Sequence, residues 1–201
     1  MRFVLSSNNK GKLEEISKIL TPLGINVCTL KDLGIEMQEP EETGKTFKEN
    51  AKIKALAAYN LTGLPTIADD SGLEVDALGG KPGIYSARFA GENVSEQENA
   101  EKLLSELKNV PAPKRTARHV CCICCILPGG KEFFADGIIN GSIALEQRGD
   151  QGFGYDSIFI FDTARTFAQI PIELKNKMSH RAKAINNLYN KLKSYINSGE
   201  V

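Results

Sequence analysis

Residues 3–20 read FVLSSNNKGKLEEISKIL, and this stretch decides the class of fold. The apolar run Phe3–Ser6 is typical of a buried strand, and the polar turn Ser7–Lys12 follows it directly. The apolar residues after the turn recur at helical spacing and stop near Pro22, so they predict an amphipathic helix. A strand, a polar turn and a helix in this order indicate an α/β fold, with backbone N–H groups aimed at the turn.

The rest of the chain continues this alternation of strands and helices. Thr46 and Ser95 each precede a glutamate by three positions, which predicts the capped start of a helix. On the first of these two helices the apolar positions are Phe47, Ile53, Leu56 and Ala57. The other predicted elements are a strand at Thr66–Ala68, a strand at Thr116–Leu127 that turns into a hairpin, a strand at Ser157–Phe161 and a last helix from Ser179. We therefore predict an α/β fold built around one mixed β-sheet.

The length and composition are those of an ordinary globular protein. The 201 residues, of which 41% are hydrophobic, suit one domain over residues 1–201, in one or two lobes. Acidic and basic residues number 25 each, so there is no broad electrostatic field to hold a nucleic acid. The N-terminus has no secretory apolar region, and no apolar run is long enough to cross a membrane. We expect a cytosolic protein that binds neither nucleic acids nor membranes.

Four of the five cysteines lie together at Cys121–Cys125. A secreted disulfide framework would spread them along the chain, so their clustering agrees with a cytosolic location. Side chains on a strand alternate between its two faces, so the two outer cysteines point away from Cys122 and Cys124. We expect all four to be small apolar residues in a core strand rather than zinc ligands.

The turn Ser7–Lys12 is a candidate phosphate site at the start of the first helix. It lacks the P-loop pattern, because Ser6 and Leu13 stand where that motif needs a glycine and a Ser or Thr. Its hydroxyl group, backbone amides and two lysines could still hold a polyphosphate through hydrogen bonds and charge. The alternative is a solvated loop that caps the helix and binds nothing.

The adjacent carboxylates Asp69 and Asp70 follow the apolar strand Thr66–Ala68, and we expect them at its end. Burying them there is unfavourable unless other groups pair with them. Neighbouring side chains on an extended backbone point apart, so one carboxylate can bind Mg²⁺ while the other orients a lysine or a water molecule. The alternative is an Asx-turn that closes the strand, since Asp, Ser and Gly favour turns.

Three further segments carry candidate site residues. The acidic loop around Glu41 could supply oxygen ligands to a hard cation, although such loops are usually just solvated. The loop Phe153–Asp156 could stack its aromatic rings on a base, or it could dock onto the core. Lys175, His180 and Arg181 form a basic group near a helix start, where the helix dipole disfavours cations. This suggests a nearby anion or carbonyl group, and the alternative is that these side chains are simply solvated.

Several of these motifs, in this order, resemble the inosine triphosphate pyrophosphatase (HAM1-like) family, whose members hydrolyse non-standard purine nucleoside triphosphates. The resemblance covers essentially the whole chain. The segments that carry it are Ser7–Lys12, Glu41–Gly44 with Phe47, Glu49 and Asn50, Ala68–Leu73, Gly79–Arg88, Gly152–Asp156 and Ser179–Arg181.

The resemblance implies a Mg²⁺-dependent enzyme that converts ITP, dITP or XTP and water to the monophosphate and pyrophosphate. It implies an elongated, twisted mixed sheet flanked by helices, with an active cleft between two lobes, and a homodimer. By the same resemblance Asp70 is the general base and a metal ligand, and Glu41 is the second metal ligand ahead of Glu42. The implied substrate-binding residues are Ser7, Asn8, Asn9, Lys10, Gly11, Lys12, Ser71, Phe153, Gly154, Tyr155, Asp156, Lys175, His180 and Arg181.

Two alternatives stay open. A nucleotide-binding regulator would have the cleft without turnover, but it would have no need of the Asp70 base. The Maf-like nucleotide pyrophosphatases share the architecture and prefer other nucleotides, and the pair His180-Arg181 favours the purine-directed branch. For base choice, we expect Arg181 to donate a hydrogen bond to the 6-oxo group of inosine, which the 6-amino group of adenine would face unfavourably.

Overall fold

A computed structural model of the protein describes residues 1–162 and 164–199. The strands in these residues are β1 (Arg2–Leu5), β2 (Asn26–Thr29), β3 (Thr66–Val75), β4 (Thr116–Ile126), β5 (Glu132–Ile143) and β6 (Phe159–Ile160). The α-helices are α1 (Lys10–Leu20), α2 (Phe47–Thr62), α3 (Glu96–Glu106), α4 (Ile172–Met178) and α5 (His180–Asn197). No helix in this part of the chain is long and apolar enough to span a membrane.

The strands form one sheet in the order β2-β1-β3-β4-β5-β6. β1 pairs in parallel with β2 and with β3, because α1 and α2 lie in the connections that return the chain between these strands. β6 pairs antiparallel with β5, with Ser142 opposite Ile160. The predicted α/β fold, with a mixed sheet flanked by helices, is confirmed.

Two compact units make up the chain, and each has its own apolar core. The first unit is Met1–Asp70, Cys121–Gly137 and the segment from Arg181 onward, and the second is Ser71–Val120 and Ile138–His180. The main core of the first unit joins side chains of β1, β2, α1, α5 and the second half of β4. The core of the second unit joins α3, the end of β5 and the aromatic residues around β6. A single domain over residues 1–201 and an active cleft between two lobes stay predictions.

Strand β3 is longer than the sequence predicts. We expected it to end at Ala68, but it continues to Val75, so Asp69 and Asp70 lie within a strand. Both carboxylates are buried, at 3% and 8% exposure. The Asx-turn alternative is wrong, because nearby cations compensate the buried charges and let the backbone stay extended.

Helix α2 packs against the sheet through small residues. Thr46 caps its start, because the Thr46 side chain accepts a hydrogen bond from the Glu49 N–H at 3.2 Å. The buried residues of the helix are Phe47, Asn50, Ala51, Ala55 and Ala58, whereas Ile53, Leu56 and Ala57 are half-buried. Phe47 is buried and Leu56 packs against the core as predicted, whereas other alanines rather than Ile53 and Ala57 form the fully buried face. Alanine lets the helix backbone approach the strands closely, which larger apolar residues would prevent.

The cysteine-rich strand is confirmed. All four cysteines of β4 are buried, and their thiols are free. Cys121 and Cys125 belong to the core that contains α1 and α5, whereas Cys124 packs with alanines of α2. The alternation expected of a strand thus divides them between the two faces of the sheet.

The last third of the chain departs from prediction at two elements. β6 has two residues rather than the predicted Ser157–Phe161, because the N–H groups of Ile158 and Phe159 donate to the Tyr155 carbonyl in a turn. The short helix α4 was not predicted. It places Lys175 on an element separate from the last helix, which begins at His180.

Candidate active site

The turn Ser7–Lys12 joins β1 to the start of α1. The Asn9 side chain caps this helix by accepting a hydrogen bond from the Lys12 N–H at 3.1 Å. The Ser7 hydroxyl in turn accepts a hydrogen bond from the Asn9 N–H at 3.2 Å. The turn is thereby held at the positive end of a helix, which suits an anionic ligand.

A cavity of about 1120 Å³ lies beside this turn in the first unit. Ser7, Asn8 and Lys10 line it, together with Lys54 of α2 and the segment 34–40. Its volume is sufficient for a small organic ligand. Three residues of the predicted phosphate-binding turn, Ser7, Asn8 and Lys10, therefore face this space.

Lys12 instead pairs with Asp69, at 2.9 Å between Nζ and Oδ1. The other oxygen of Asp69 lies 3.5 Å from Nε of Arg181, whose Nη1 lies 3.7 Å from Glu15. Two cations thus compensate a carboxylate that is shut off from water. Burial would raise the pKa of Asp69, but the charges of Lys12 and Arg181 outweigh it and hold the pKa well below its usual range.

Asp70 has a different set of partners. Nδ2 of Asn50 donates to Oδ2 of Asp70 at 3.1 Å, and Nζ of Lys54 donates to Oδ1 at 3.2 Å. Burial raises the pKa of Asp70, and the charge of Lys54 only partly offsets that rise. The expectation that the two carboxylates have different surroundings is confirmed. A carboxylate with a raised pKa is well suited to accept a proton.

Lys54 connects Asp70 to the acidic loop. Its Nζ lies 2.7 Å from Glu42 and 3.2 Å from Asp70. Burial would lower the pKa of Lys54, but the charges of Asp70 and Glu42 outweigh it and raise the pKa. Glu41 is exposed, and its carbonyl accepts a hydrogen bond from the Thr43 N–H. The glutamate that shares Lys54 with Asp70 is therefore Glu42.

Neither Asn50 nor Lys54 is among the site residues predicted from the sequence. The available signal was a pair of polar residues one helical turn apart, on a helix that follows an acidic loop. The Asn50 side chain also accepts a hydrogen bond from the Gly44 N–H at 2.9 Å. A Cβ atom at Gly44 would lie 2.5 Å from Oδ1 of Asn50, so this contact between loop and helix requires a glycine.

The loop Phe153–Asp156 belongs to the second unit. Nζ of Lys175 donates to Asp156, whose carboxylate also accepts the Phe153 N–H at 2.8 Å. The same ammonium lies 4.1 Å from the centre of the Phe153 ring. Half of Phe153 is exposed, so its ring is held over a buried ion pair and stays available for stacking.

The middle residues of this loop are anchored elsewhere in the second unit. Tyr155 is buried, and its hydroxyl donates to the Ser86 carbonyl at 2.8 Å, so this ring docks the loop onto the core. Gly154 has a φ of 64°, and its N–H donates to the Glu96 carboxylate at 2.7 Å. Phe153 rather than Tyr155 is therefore the ring that a ligand can reach.

The remaining predicted residues divide between the units. In the second unit His180 stacks on His119, with ring centres 4.9 Å apart and ring planes 13° apart. Ser71 is half-buried on β3. The predicted residues of the first unit are Ser7–Lys12, Glu41, Asp70 and Arg181, and those of the second are Ser71, Phe153–Asp156, Lys175 and His180. Among residues 1–162 and 164–199, no group of three or more His, Cys, Asp and Glu side chains could hold a metal ion.

Comparison with known proteins gives consistent matches along the chain. The sequence profile of the Ham1 family matches residues 3–191. A dITP/XTP pyrophosphatase of Geobacter sulfurreducens is 50% identical over 185 residues, which are 92% of this chain and 92% of that protein. The counterpart of Bacillus subtilis is 47% identical over 92% of this chain and 93% of its own length. The structure of the Staphylococcus aureus Ham1 protein superposes with a TM-score of 0.89 at 42% identity, covering 97% of this chain and 100% of that one. The resemblance of the sequence motifs is thus confirmed, and the chain belongs to the Ham1 family.

Proposed function

We propose that this protein hydrolyses non-standard purine nucleoside triphosphates, such as ITP, dITP and XTP, to the monophosphate and pyrophosphate. That the protein is a nucleoside triphosphate pyrophosphatase follows from its family and from relatives, 50% and 47% identical, that are named dITP/XTP pyrophosphatase. The observation that supports the proposal best is the buried Asp70 held between Asn50 and Lys54, in the unit that also contains the cavity beside Ser7–Lys12.

Asp70 is the general base of the proposed reaction. It takes a proton from the water molecule that attacks the α-phosphorus, a bond forms between the water oxygen and phosphorus, and pyrophosphate leaves. Asn50 and Lys54 each hold one oxygen of Asp70 and so orient the carboxylate. Ser7, Asn8 and Lys10 bind the phosphates at the positive end of α1, where backbone N–H groups favour anions.

Mg²⁺ fits the oxygen donors of the first unit. Asp70 and Glu42 face a common cation, the Lys54 ammonium, and carboxylate oxygens are the ligands that Mg²⁺ prefers. Asp70 and Glu42 would hold the ion, so the geometry favours Glu42 over Glu41, the choice made from the sequence. When bound, the ion neutralises phosphate charge during the reaction.

The proposed base-binding residues are those predicted from the sequence. Phe153 stacks on the purine, and Asp156 and Lys175 keep its ring in place. Arg181 recognises the 6-oxo group, with His180 beside it in the chain. We place the reaction in the cytosol and expect a homodimer that binds no nucleic acid.

The products test the proposal directly. Purified protein with ITP and Mg²⁺ should release one pyrophosphate and one IMP per turnover, and EDTA should abolish the reaction. ³¹P NMR distinguishes pyrophosphate from orthophosphate without a coupling enzyme. Orthophosphate as the first product would mean that a different bond is cleaved. Nucleotide binding without turnover would favour the alternative of a nucleotide-binding regulator. A preference for other nucleotides would favour the Maf-like pyrophosphatases.

Lys54→Gln should tighten the binding of a divalent cation in the absence of nucleotide. The lysine ammonium competes with a metal ion for the oxygens of Asp70 and Glu42. A cation at this distance changes the affinity of a carboxylate for a second positive ion by roughly tenfold or more. We therefore expect about tenfold tighter binding in the variant. Mn²⁺ titration followed by EPR measures the affinity.

Lys52→Gln is the matched control for this variant. Lys52 lies on the same helix and pairs with Glu132 at 2.8 Å, away from Asp70. The Lys52→Gln substitution removes the same charge and should leave the Mn²⁺ affinity unchanged. Equal affinities in wild type and Lys54→Gln would show that Lys54 does not share its carboxylates with the metal.

A further inference from the structure

The loop Phe153–Asp156 presents the one ring that the proposed function assigns to base stacking, and three elements of the second unit hold it. Lys175 of α4 contacts Asp156 and the Phe153 ring. The Tyr155 hydroxyl is bonded to the carbonyl of Ser86. These contacts anchor both ends of the loop and its buried side. They do not include the turn at Gly154, which is bonded to the third element, α3.

The turn itself needs glycine for two different reasons. Gly152 has a φ of 83°, and a Cβ atom there would lie 2.1 Å from Oδ2 of Asp156. Gly154 has room for a Cβ atom, but its φ of 64° lies in the left-handed region. That conformation directs the Gly154 N–H towards Glu96, the first residue of α3.

The contact between Glu96 and Gly154 combines a charge with a hydrogen bond. The carboxylate accepts the Gly154 N–H at 2.7 Å, and hydrogen bonds to an ionised acceptor are the stronger ones. Glu96 also lies in the first turn of α3, where the helix dipole stabilises a negative charge. Burial raises the pKa of Asp156, and the charge of Glu96 adds to that rise, which places Glu96 within electrostatic range of the Asp156–Lys175 pair.

We infer that Glu96 is a positioning residue for base binding: its hydrogen bond to the Gly154 N–H holds the Phe153 ring in its stacking position. This inference rests on the proposed function of the Phe153 loop. Glu96 acts through the loop that carries the stacking ring, so its effect falls on substrate affinity rather than on the chemical step.

Glu96→Ala should raise KM for ITP by roughly 3- to 30-fold, the range expected for one hydrogen bond, and change kcat by less than about twofold. Glu96→Gln keeps an oxygen acceptor and should recover most of the loss. A structural role for Glu96 would instead lower the melting temperature and leave KM unchanged, or would show no rescue by glutamine.

Hydrogen exchange gives a readout that does not depend on activity. In Glu96→Ala without nucleotide, a peptide that contains Gly154 should exchange several-fold faster than in wild type. Glu101→Ala, which alters an exposed glutamate of the same helix bonded to Gln97, should change neither exchange nor KM. Unchanged exchange in Glu96→Ala would overturn the inference. If Glu96→Ala exchanges faster at Gly154 but the wild-type protein does not hydrolyse ITP, the proposed function is overturned instead.

Discussion

Asp70→Asn is expected to lower kcat for ITP by roughly 10²–10⁴-fold, the range typical for loss of a general base. Asparagine keeps the size of the side chain but neither accepts a proton at neutral pH nor carries the charge that a metal ion needs. Both oxygens of Asp70 accept hydrogen bonds, from Asn50 and from Lys54, so the amide keeps one of these bonds and turns its N–H₂ group towards the other donor. A full time course with ITP and saturating Mg²⁺ measures the loss.

The same variant should melt at an unchanged or higher temperature when no divalent cation is present. Burial raises the pKa of Asp70 in the folded state, so the folded protein holds the proton more tightly than the unfolded chain does. At neutral pH the ionised Asp70 therefore opposes folding, and the uncharged asparagine removes that cost, which offsets the one hydrogen bond that the amide loses. Loss of activity together with loss of stability would contradict this prediction.

Asp69→Asn provides the contrast, because the neighbouring carboxylate has the opposite shift. Its pKa is lowered in the folded state, so its ionised form contributes stability above the usual pKa of an aspartate, and this contribution is lost as the pH falls. Asp69→Asn should lower the melting temperature at neutral pH. The two variants differ by one position and should move the melting temperature in different directions.

Arg181→Ala is expected to have the second largest effect, and the structure adds to what the sequence predicts for it. Arg181 is 6% exposed and lies against Asp69 and Glu15. Without Arg181 the carboxylates of Asp69 and Glu15 lose a compensating cation, and we expect the free energy of unfolding to fall by about 3–5 kcal/mol. Urea denaturation at neutral pH measures that change.

The effect on base choice is measured separately from stability. If Arg181 donates to the 6-oxo group, its loss should reduce kcat/KM for ITP by roughly 10- to 150-fold and leave the low value for ATP almost unchanged. The assays belong at a temperature well below the melting point of the variant. An equal fall for ITP and ATP would show that Arg181 acts through Asp69 and the phosphate side of the site.

Arg181→Lys separates the two roles further. Lysine keeps the positive charge beside Asp69, so most of the stability should return, but it lacks the planar fork of donors that arginine offers. A variant with restored stability and a reduced ratio of ITP to ATP activity would assign base recognition to the guanidinium group itself.

Local patterns were sufficient for the class of fold and for most elements. The alternation of apolar runs with helical spacing predicts the mixed sheet, and the pairs Thr46–Glu49 and Ser95–Glu98 mark the starts of α2 and α3. These signals succeed because capping and amphipathic spacing act within one turn of helix or a few residues of strand. The length of β3 was underestimated, because two aspartates within a strand become tolerable when they are neutralised by cations that are close in space but distant along the chain.

The sequence by itself determined the fold class, the family and the candidate segments, because motif order and local periodicity are properties of the chain. The tertiary structure alone decided the partners of each charge. Lys12 meets Asp69 across 57 positions, and Asp69 meets Arg181 across 112. Glu42 rather than Glu41 shares a lysine with Asp70, and that choice depends on how the acidic loop reaches α2 at Gly44. Electrostatic pairing follows distance in space, which residue spacing along the chain does not contain.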